Sequence, residues 1–348
     1  MIFRRNKQQK REVALGVELG TSQIKVAVVR LRGEKLELAE YAIRQLTPTS
    51  GKAYKDPQFA IELQQMMDGL KTSERRAFVT LSCASAMVCQ TEFPPMPLAE
   101  IKNALQLNSA RYLRRDFSSY YLDAIELKNP HAESKKDAKT KVLVGGANKE
   151  EVDACREALV AAKVKPESIE LSAVSVINAF QVSYPELKDE VVLVVDIGAR
   201  STSINFLCEG QPLITRIMHF GGAQISDYIS QILMLDPQEA EEEKLKMSDP
   251  VQELVKTAMS PLAREVRSSI DFFERQHDHR VHRIFACGGS AMSPQVLKFL
   301  GEAVGLPVEC WNPVQNLDVS GFNGETPHLM NLGPSLAAAV GVAASRLS

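Results

Sequence analysis

A repeated strand–glycine–strand pattern is the feature of this sequence that most restricts its fold. The stretch GVELGTSQIKVAVV covers residues 16–29, and the stretch VVDIGARSTSINFL covers residues 194–207. In both stretches an apolar run carries a carboxylate two residues before a glycine, and small hydroxyl residues follow the glycine. Two copies of one pattern in a chain indicate an internal duplication, which restricts the fold more than a single motif does.

The turns that follow each copy support a duplication. Gly198 lies 178 residues after Gly20, and the next turns, at Gly33 and Gly210, match this offset to within one residue. The predicted strands of the two meanders are 13–19, 23–31 and 36–43, then 191–197, 202–208 and 212–219. The sequence therefore predicts an α/β protein with a duplicated β-meander.

Length and the segments between the meanders predict two lobes and an insertion. A chain of 348 residues is too long for one compact core. Residues 77–165 are expected to form a small α/β module, with strands at 77–82, 86–92, 120–127 and 141–145 and helices at 98–113 and 149–162. The other expected parts are a basic tail at 1–11, lobe one at 12–76, 166–190 and 318–348, lobe two at 191–225 and 281–317, and a helical part of lobe two at 226–280, in which a long helix begins near Pro250.

Composition is typical of a globular protein of the cytosol. The net charge of −2 gives no reason to expect a nucleic-acid partner. The six cysteines form no CxxC pair, and no apolar run is long enough for a transmembrane helix. The basic residues before Glu12 leave two interpretations open, a solvated tail and attraction to an anionic membrane surface.

The two hairpins have the composition of a phosphate cradle. A glycine between strands lets the backbone approach a ligand, and flanking amides and hydroxyls can donate to an anion. We expect the two hairpins to face each other and to clamp a nucleotide's phosphate chain. The candidate phosphate-binding residues are Gly20, Thr21, Ser22, Lys25, Gly198, Ala199, Arg200, Ser201 and Thr202.

The carboxylates before the glycines predict a cation rather than a direct contact with phosphate. Glu18 and Asp196 would be repelled by phosphate, but they can hold a divalent cation, usually through water. A downstream strand, a Gly-Gly turn and a helix can pass the backbone against a purine ring. The candidate adenosine-binding residues are Gly221, Gly222, Glu241, Lys244, Gly288, Gly289 and Ser290.

The order of these parts resembles the actin-like ATPase superfamily, with its two phosphate hairpins, connecting helix and adenosine motif. Within the superfamily the chain resembles the PilM family of type IV pilus assembly proteins more than the cell-division protein FtsA. The stretches that carry this resemblance are DIGARST (196–202), Arg216 with Phe220-Gly221-Gly222, EAEEEK (239–244), PLAREVRSSIDFFERQ (261–276) and FPPMP (93–97).

The resemblance implies an actin-like fold with two lobes around a nucleotide cleft and an inserted FtsA-type module. It implies ATP and Mg²⁺ as cofactors. It also implies a cytoplasmic protein at the inner membrane that docks the cytoplasmic tail of a PilN-like bitopic protein between lobe one and the insertion. The resemblance leaves open whether pilus motor or platform proteins also bind this chain and whether the chain forms a homo-oligomer.

Two departures from the family pattern predict weak catalysis. Glu18 stands where the family usually has Asp, and the extra methylene displaces the carboxylate from octahedral magnesium geometry. The connecting segment 172–180 offers Asn178 as its only amide, and no catalytic residue can be named there. We therefore expect weak nucleotide binding and slow or absent hydrolysis, below about 1 s⁻¹.

Three other functions stay open at this point. A sugar or acid kinase would need a catalytic Asp in the cleft, and Asp196 belongs with the phosphates instead. A filament-forming FtsA-like or MreB-like protein would sediment with ATP. A type II secretion docking protein usually continues into a membrane span.

Overall fold

The computed structural model describes residues 11–46, 54, 56–127, 139–322 and 325–347. Its strands are β1 (Val13–Leu19), β2 (Gln23–Arg32), β3 (Lys35–Gln45), β4 (Arg76–Leu81), β5 (Met87–Phe93), β6 (Tyr120–Glu126), β7 (Thr140–Asn148), β8 (Lys165–Leu171), β9 (Val192–Ile197), β10 (Thr202–Cys208), β11 (Gln211–Met218), β12 (Arg283–Cys287) and β13 (Val308–Cys310). Its helices are α1 (Pro57–Asp68), α2 (Leu98–Leu107), α3 (Ser109–Leu113), α4 (Lys149–Ala161), α5 (Ser172–Ser183), α6 (Gly222–Leu233), α7 (Pro237–Lys246), α8 (Asp249–Ala258), α9 (Ser260–His277), α10 (Pro294–Val304), α11 (Thr326–Leu332) and α12 (Ala337–Ala344).

Two of the sheets have the same topology. The first has the order β3-β2-β1-β4-β8 and the second the order β11-β10-β9-β12-β13. In both, the first three strands form an antiparallel meander and the last two run parallel to the meander's first strand. The duplication that the sequence predicts is therefore confirmed, and each sheet with the helices packed on it forms one lobe.

A third sheet, in the order β5-β7-β6, lies between the two meanders in sequence. Its strands, with α2 and α3, make up residues 87–148, which we call the inserted module. Buried side chains that include Phe93, Ile101 and Leu122 give this module a hydrophobic cluster of its own.

The expected membership of the inserted module is wrong at both ends. The strand predicted at 77–82 is β4, which pairs with β1 and β8 inside the first sheet. The helix predicted at 149–162 is α4, whose Cys155 and Leu159 pack in the core of lobe one. An apolar run such as β4 fits any buried parallel strand, so its composition does not reveal which strands it pairs with.

Two predicted helices are each divided in the structure. The helix expected from Pro250 onwards is interrupted at Met259, because Pro261 has no N–H to donate to the preceding turn. The helix expected at 98–113 breaks at Asn108, whose side chain accepts a hydrogen bond from Arg111 N and so begins a new helix.

Helices α5 and α12 lie between the lobes and contact both sheets. A Cβ atom on Gly341 of α12 would lie 1.9 Å from Ser175 O of α5, and one on Gly16 of β1 would lie 2.1 Å from Ala339 O. The helix α12 is therefore held at backbone contact on two sides. The small residues Gly16 and Gly341 permit this close packing of α12 on β1 and α5.

Most of the basic tail lies outside the described residues. Arg11 is described, and its Nη2 atom lies 3.3 Å from Glu167 Oε2. Its guanidinium also lies 5.0 Å from the centroid of the Phe78 ring. The last basic residue of the tail is thus attached to lobe one.

Candidate functional site

The tips of the two meander hairpins have matching backbone geometry. Gly20 N donates to Gln23 O at 3.1 Å, and Gly198 N donates to Ser201 O at 3.1 Å. A Cβ atom on Gly20 would lie 2.7 Å from Gln23 O, and one on Gly198 would lie 2.9 Å from Ser201 O. Both tips are therefore too tight for a larger residue, which is the physical reason for the repeated glycine.

The two hairpins converge on a pair of carboxylates. Burial and the negative charge of Glu18, against the opposing charge of Lys25, together raise the pKa of Asp196 to about 6. Glu18 and Lys25 belong to the first hairpin and Asp196 to the second, so charged groups of the two hairpins lie close enough to influence each other. This influence supports the predicted convergence of the hairpins, while their role as a clamp for phosphates stays a prediction.

Lys25 is the counter-ion of Glu18. The two residues are directly paired across β1 and β2, and Lys25 Nζ donates to Glu18 Oε1 at 3.1 Å. Both side chains are buried, and Glu18 Oε2 has no hydrogen-bond partner. Lys25 was expected on the phosphates, but here its charge neutralises a buried carboxylate.

The predicted hairpin residues differ in how much of them a ligand could reach. Thr21 and Arg200 are exposed, and Ser22, Ala199 and Ser201 are half-buried. Thr202 is buried, and its hydroxyl donates to Phe220 O at 2.8 Å. That hydroxyl therefore joins the second hairpin to the segment before α6 and is not aimed at a ligand.

Helix α6 begins directly on the second hairpin. Gly222 N donates to Gly198 O at 3.0 Å, and Ala223 N donates to Ala199 O at 2.7 Å. A Cβ atom on Gly221 would lie 2.4 Å from Gly198 O. The Gly221-Gly222 pair thus lets the start of a helix lie against the hairpin backbone, and the two elements must move together.

A polar network joins α6 and α7 beside this hairpin. Lys244 Nζ lies 2.6 Å from Glu241 Oε2, 2.8 Å from Ser226 Oγ and 3.2 Å from Gly222 O. A Cβ atom on Gly222 would lie 2.7 Å from Ser290 Oγ. The predicted adenosine residues of three different segments are therefore brought together.

Ser226, which the sequence pattern did not single out, also belongs to this network. Its hydroxyl lies 2.5 Å from Glu241 Oε2. Ser226 follows Gly222 by one helical turn, so its position on α6 could have indicated that both face the same way.

The Gly288-Gly289 turn after β12 lies against both the second hairpin and the C-terminal segment. Gly288 has a φ of +90°, and its N–H donates to Pro334 O at 2.9 Å. A Cβ atom on Gly288 would lie 2.5 Å from Asp196 Oδ1, whereas one on Gly289 would meet nothing within 4 Å. Gly288 thus closes the base of the site, and Gly289 faces open space.

Both amide side chains of the connecting helix α5 are engaged within the protein, and Gln181 Nε2 donates to Gly210 O at 2.5 Å. The Asn178 amide donates to Glu170, a buried residue that also accepts from Ser175 Oγ at 2.7 Å and from Arg346 Nη2 at 2.8 Å. Burial raises the pKa of Glu170 to about 7, against the opposing effect of Arg346. Asn178 is therefore engaged in a structural cluster.

The described residues contain neither a membrane-spanning helix nor a cluster of metal ligands. None of the helices in this part of the chain is both long and apolar enough to span a bilayer. Among the same residues, no three His, Cys, Asp or Glu side chains are grouped so that they could hold a metal ion by themselves.

Comparisons with known proteins agree with this architecture. The family model of the type IV pilus assembly protein PilM matches residues 16–347. A solved PilM–PilN type IV pilus biogenesis complex contains a chain that is 26% identical, with a TM-score of 0.86, and the match covers 98% of this chain and 100% of that one.

More distant solved structures share the fold alone. The ethanolamine utilization protein EutJ from Carboxydothermus hydrogenoformans is 14% identical, with a TM-score of 0.58 over 98% of this chain and 91% of that one. MreB 5 of Spiroplasma citri, solved with AMPPNP, is 13% identical, with a TM-score of 0.50 over 89% and 93%. The duplicated sheets around a cleft are thus the actin-like ATPase fold, as expected from the sequence. Because the PilM model spans nearly all of it, the chain belongs to the PilM family of type IV pilus assembly proteins.

Proposed function

We propose that this protein is an ATP-binding scaffold that docks the cytoplasmic tail of a PilN-like inner-membrane protein, with slow or absent hydrolysis. The observation that carries the nucleotide part is the convergence of two glycine hairpins on Glu18 and Asp196. Backbone amides at both tips would hold the phosphates, and hydroxyls of Thr21, Ser22 and Ser201 would add donors.

Magnesium fits the residues at the base of this site. Glu18 Oε2 is a buried carboxylate oxygen with no hydrogen-bond partner, and Asp196 lies close enough for the two charges to interact. Lys25 supplies one positive charge against two carboxylates, so the group favours a further cation. Bound there through water, Mg²⁺ would neutralise phosphate charge.

The nucleoside would lie against the α6–α7 network. Glu241 and Lys244 present a carboxylate and an ammonium group beside Gly222 and Ser290. These groups can accept from and donate to ribose hydroxyls, and the open side of Gly289 leaves room for a base. Binding at this position would connect α6 and α7 to the phosphates held by the hairpins.

The docking part of the proposal is supported by the PilM–PilN complex that this chain resembles at 26% identity over its whole length. We expect the partner's tail to occupy the groove between lobe one and the inserted module, at the cytoplasmic face of the inner membrane. Nucleotide that draws the lobes together would alter this groove and so couple the two sites.

The test is a calorimetric titration with a peptide that copies the cytoplasmic N-terminus of the PilN-like protein of the same organism. We expect saturable binding, with an affinity that changes about fivefold or more when ATP and Mg²⁺ are added. A peptide of the same composition in scrambled order is the control. No binding of the native peptide would contradict the docking role, and equal affinity with and without nucleotide would contradict the coupling.

A further inference from the structure

The inserted module is fused to lobe one by a shared hydrophobic core. Ala147, at the end of β7, is buried in the cluster that includes Leu15 and Leu63 of lobe one. Ala86 and Val88, at the start of β5, pack against the same cluster. Separating this junction would expose apolar surface, so the module and lobe one move as one body.

The contact between the inserted module and lobe two is polar and involves no shared hydrophobic core. The strands β5 and β11, each at the edge of its own sheet, lie side by side. Across this contact Gln90 Nε2 donates to Leu213 O. The buried cluster of the module and that of lobe two share no residue. A polar contact of this kind can open and close without separating a core.

A β-bulge makes the Leu213 carbonyl available. In the pairing of β10 with β11, Phe206 lies opposite Ile214, and the next residue, Leu207, lies opposite Pro212. Leu213 is thus the extra residue of the bulge and has no opposite residue on β10. Bulges leave backbone groups outside the ladder and redirect them, and here the carbonyl meets Gln90.

The other end of β11 is attached to the second phosphate hairpin. Met218 pairs with Thr202, and the Thr202 hydroxyl donates to Phe220 O just beyond the strand. Gly222 N is in turn bonded to Gly198 O. A displacement of the hairpin tip therefore moves β11, which spans roughly 17 Å between Met218 and Leu213.

We propose that the Gln90–Leu213 contact transmits the nucleotide state of the second hairpin to the inserted module. This inference rests on the proposed function, because it takes ATP as the ligand of the hairpins. The module is fixed to lobe one and touches lobe two through β5, so any change in the angle between the lobes acts on β5. The module would then pass that change to the docking groove that it borders.

Hydrogen exchange measured by mass spectrometry tests this inference on the full chain, with and without ATP and Mg²⁺. The variant is Gln90→Glu, which keeps the size of the side chain but cannot donate to a carbonyl. The matched control is Gln58→Glu, an exposed position on α1 of lobe one whose side chain donates to Glu62 in its own helix. In wild type and in the control, we expect ATP to change the exchange rate of residues 87–93 by twofold or more.

In Gln90→Glu, ATP should protect residues 198–202 as in wild type but leave residues 87–93 within about 1.2-fold of their rate without nucleotide. An unchanged response of residues 87–93 in this variant overturns the inference. So does wild-type protein in which ATP protects residues 198–202 without affecting residues 87–93. Failure of ATP to protect residues 198–202 in wild type would instead overturn the proposed nucleotide site, and loss of that protection in Gln90→Glu alone would overturn the inference, which requires ATP binding to survive the substitution.

Discussion

Gly288 occupies a backbone conformation that a side chain would strain, at the point where three parts of the site meet. Its φ is +90°, its N–H is bonded to Pro334 O, and the space for a Cβ atom is taken by Asp196 Oδ1 and Ile197 O. Gly289, the next residue, has a right-handed helical conformation and open space around it. Glycine is therefore required at position 288 by backbone conformation and close packing, whereas neither constraint applies at position 289.

This difference gives a prediction at the residue scale. Gly288→Ala should lower the free energy of unfolding by about 1–3 kcal/mol, because it combines an unfavourable φ with a contact to backbone. Gly289→Ala should leave stability unchanged or raise it by up to about 1 kcal/mol, since it only restricts the unfolded chain. Urea denaturation of the two variants makes the comparison. Equal losses in both would contradict the assignment of strain to Gly288.

Contacts between residues close in sequence could have been predicted, although Lys25 was assigned to the phosphates instead, whereas contacts between distant residues could not. The Glu18–Lys25 ion pair follows from the hairpin itself, because the two residues are symmetric about the turn of an antiparallel pair. Ser226 lies 15 residues from Glu241, and Arg346 lies 176 residues from Glu170. Contacts of the second kind depend on how helices and sheets pack, and no local pattern records that packing.

At the scale of elements, helix α5 is attached to lobe one by a buried polar cluster. Ser175 Oγ donates to Glu170 Oε1 at 2.7 Å and lies 2.8 Å from Thr80 Oγ1, which joins α5 to strands β8 and β4. Arg346, beyond the end of α12, adds its charge to Glu170. Since α5 and α12 lie between the lobes, this cluster keeps α5 attached to lobe one when the lobes move relative to each other.

The cluster predicts a dependence of stability on pH. The pKa of Glu170 is about 7 in the folded protein against an ordinary value of 4.5, so the folded state holds a proton that the unfolded state releases. Stability from this residue is therefore lost as pH rises from about 4.5 to 7, by an amount on the order of 2 kcal/mol. Glu170→Gln should remove that part of the pH dependence.

The measurement is urea denaturation of wild type and variant at several pH values between 5 and 8. Glu167→Gln, a more exposed position on the same strand, serves as the control and should keep the wild-type slope. A Glu170→Gln curve parallel to wild type would show that Glu170 does not hold the proton.

Strand bounds that are set by the hydrophobic period and by turn residues could be predicted. The sheet to which a strand belongs could not, because it depends on which strands pair with it. The six meander strands were predicted to within two residues of their observed bounds. The strand β4 was assigned to the wrong sheet, because its apolar composition only indicates burial. The division of the long helix at Met259 could have been predicted from Pro261, which cannot complete the preceding turn.

At the scale of the whole molecule, two lobes of common topology meet along α5 and α12 and hold a group of charges between them. The inserted module is built into the core of lobe one and rests on the edge of lobe two. In this arrangement, the proposed nucleotide site and the proposed docking groove would both respond to a change in the angle between the lobes. The domain boundaries proposed from the sequence stay a prediction, apart from the two segments that the sheets reassign.

The central claim is that residues 20–22 and 198–202 hold the phosphates of one nucleotide between the lobes. The most direct measurement is a crystal structure of the protein grown with a non-hydrolysable ATP analogue and Mg²⁺. We predict the triphosphate between the two hairpin tips, with the nucleoside against Glu241, Lys244 and Ser290. An analogue that contacts only one hairpin, or that lies outside the cleft while both tips keep their own hydrogen bonds, would contradict the account.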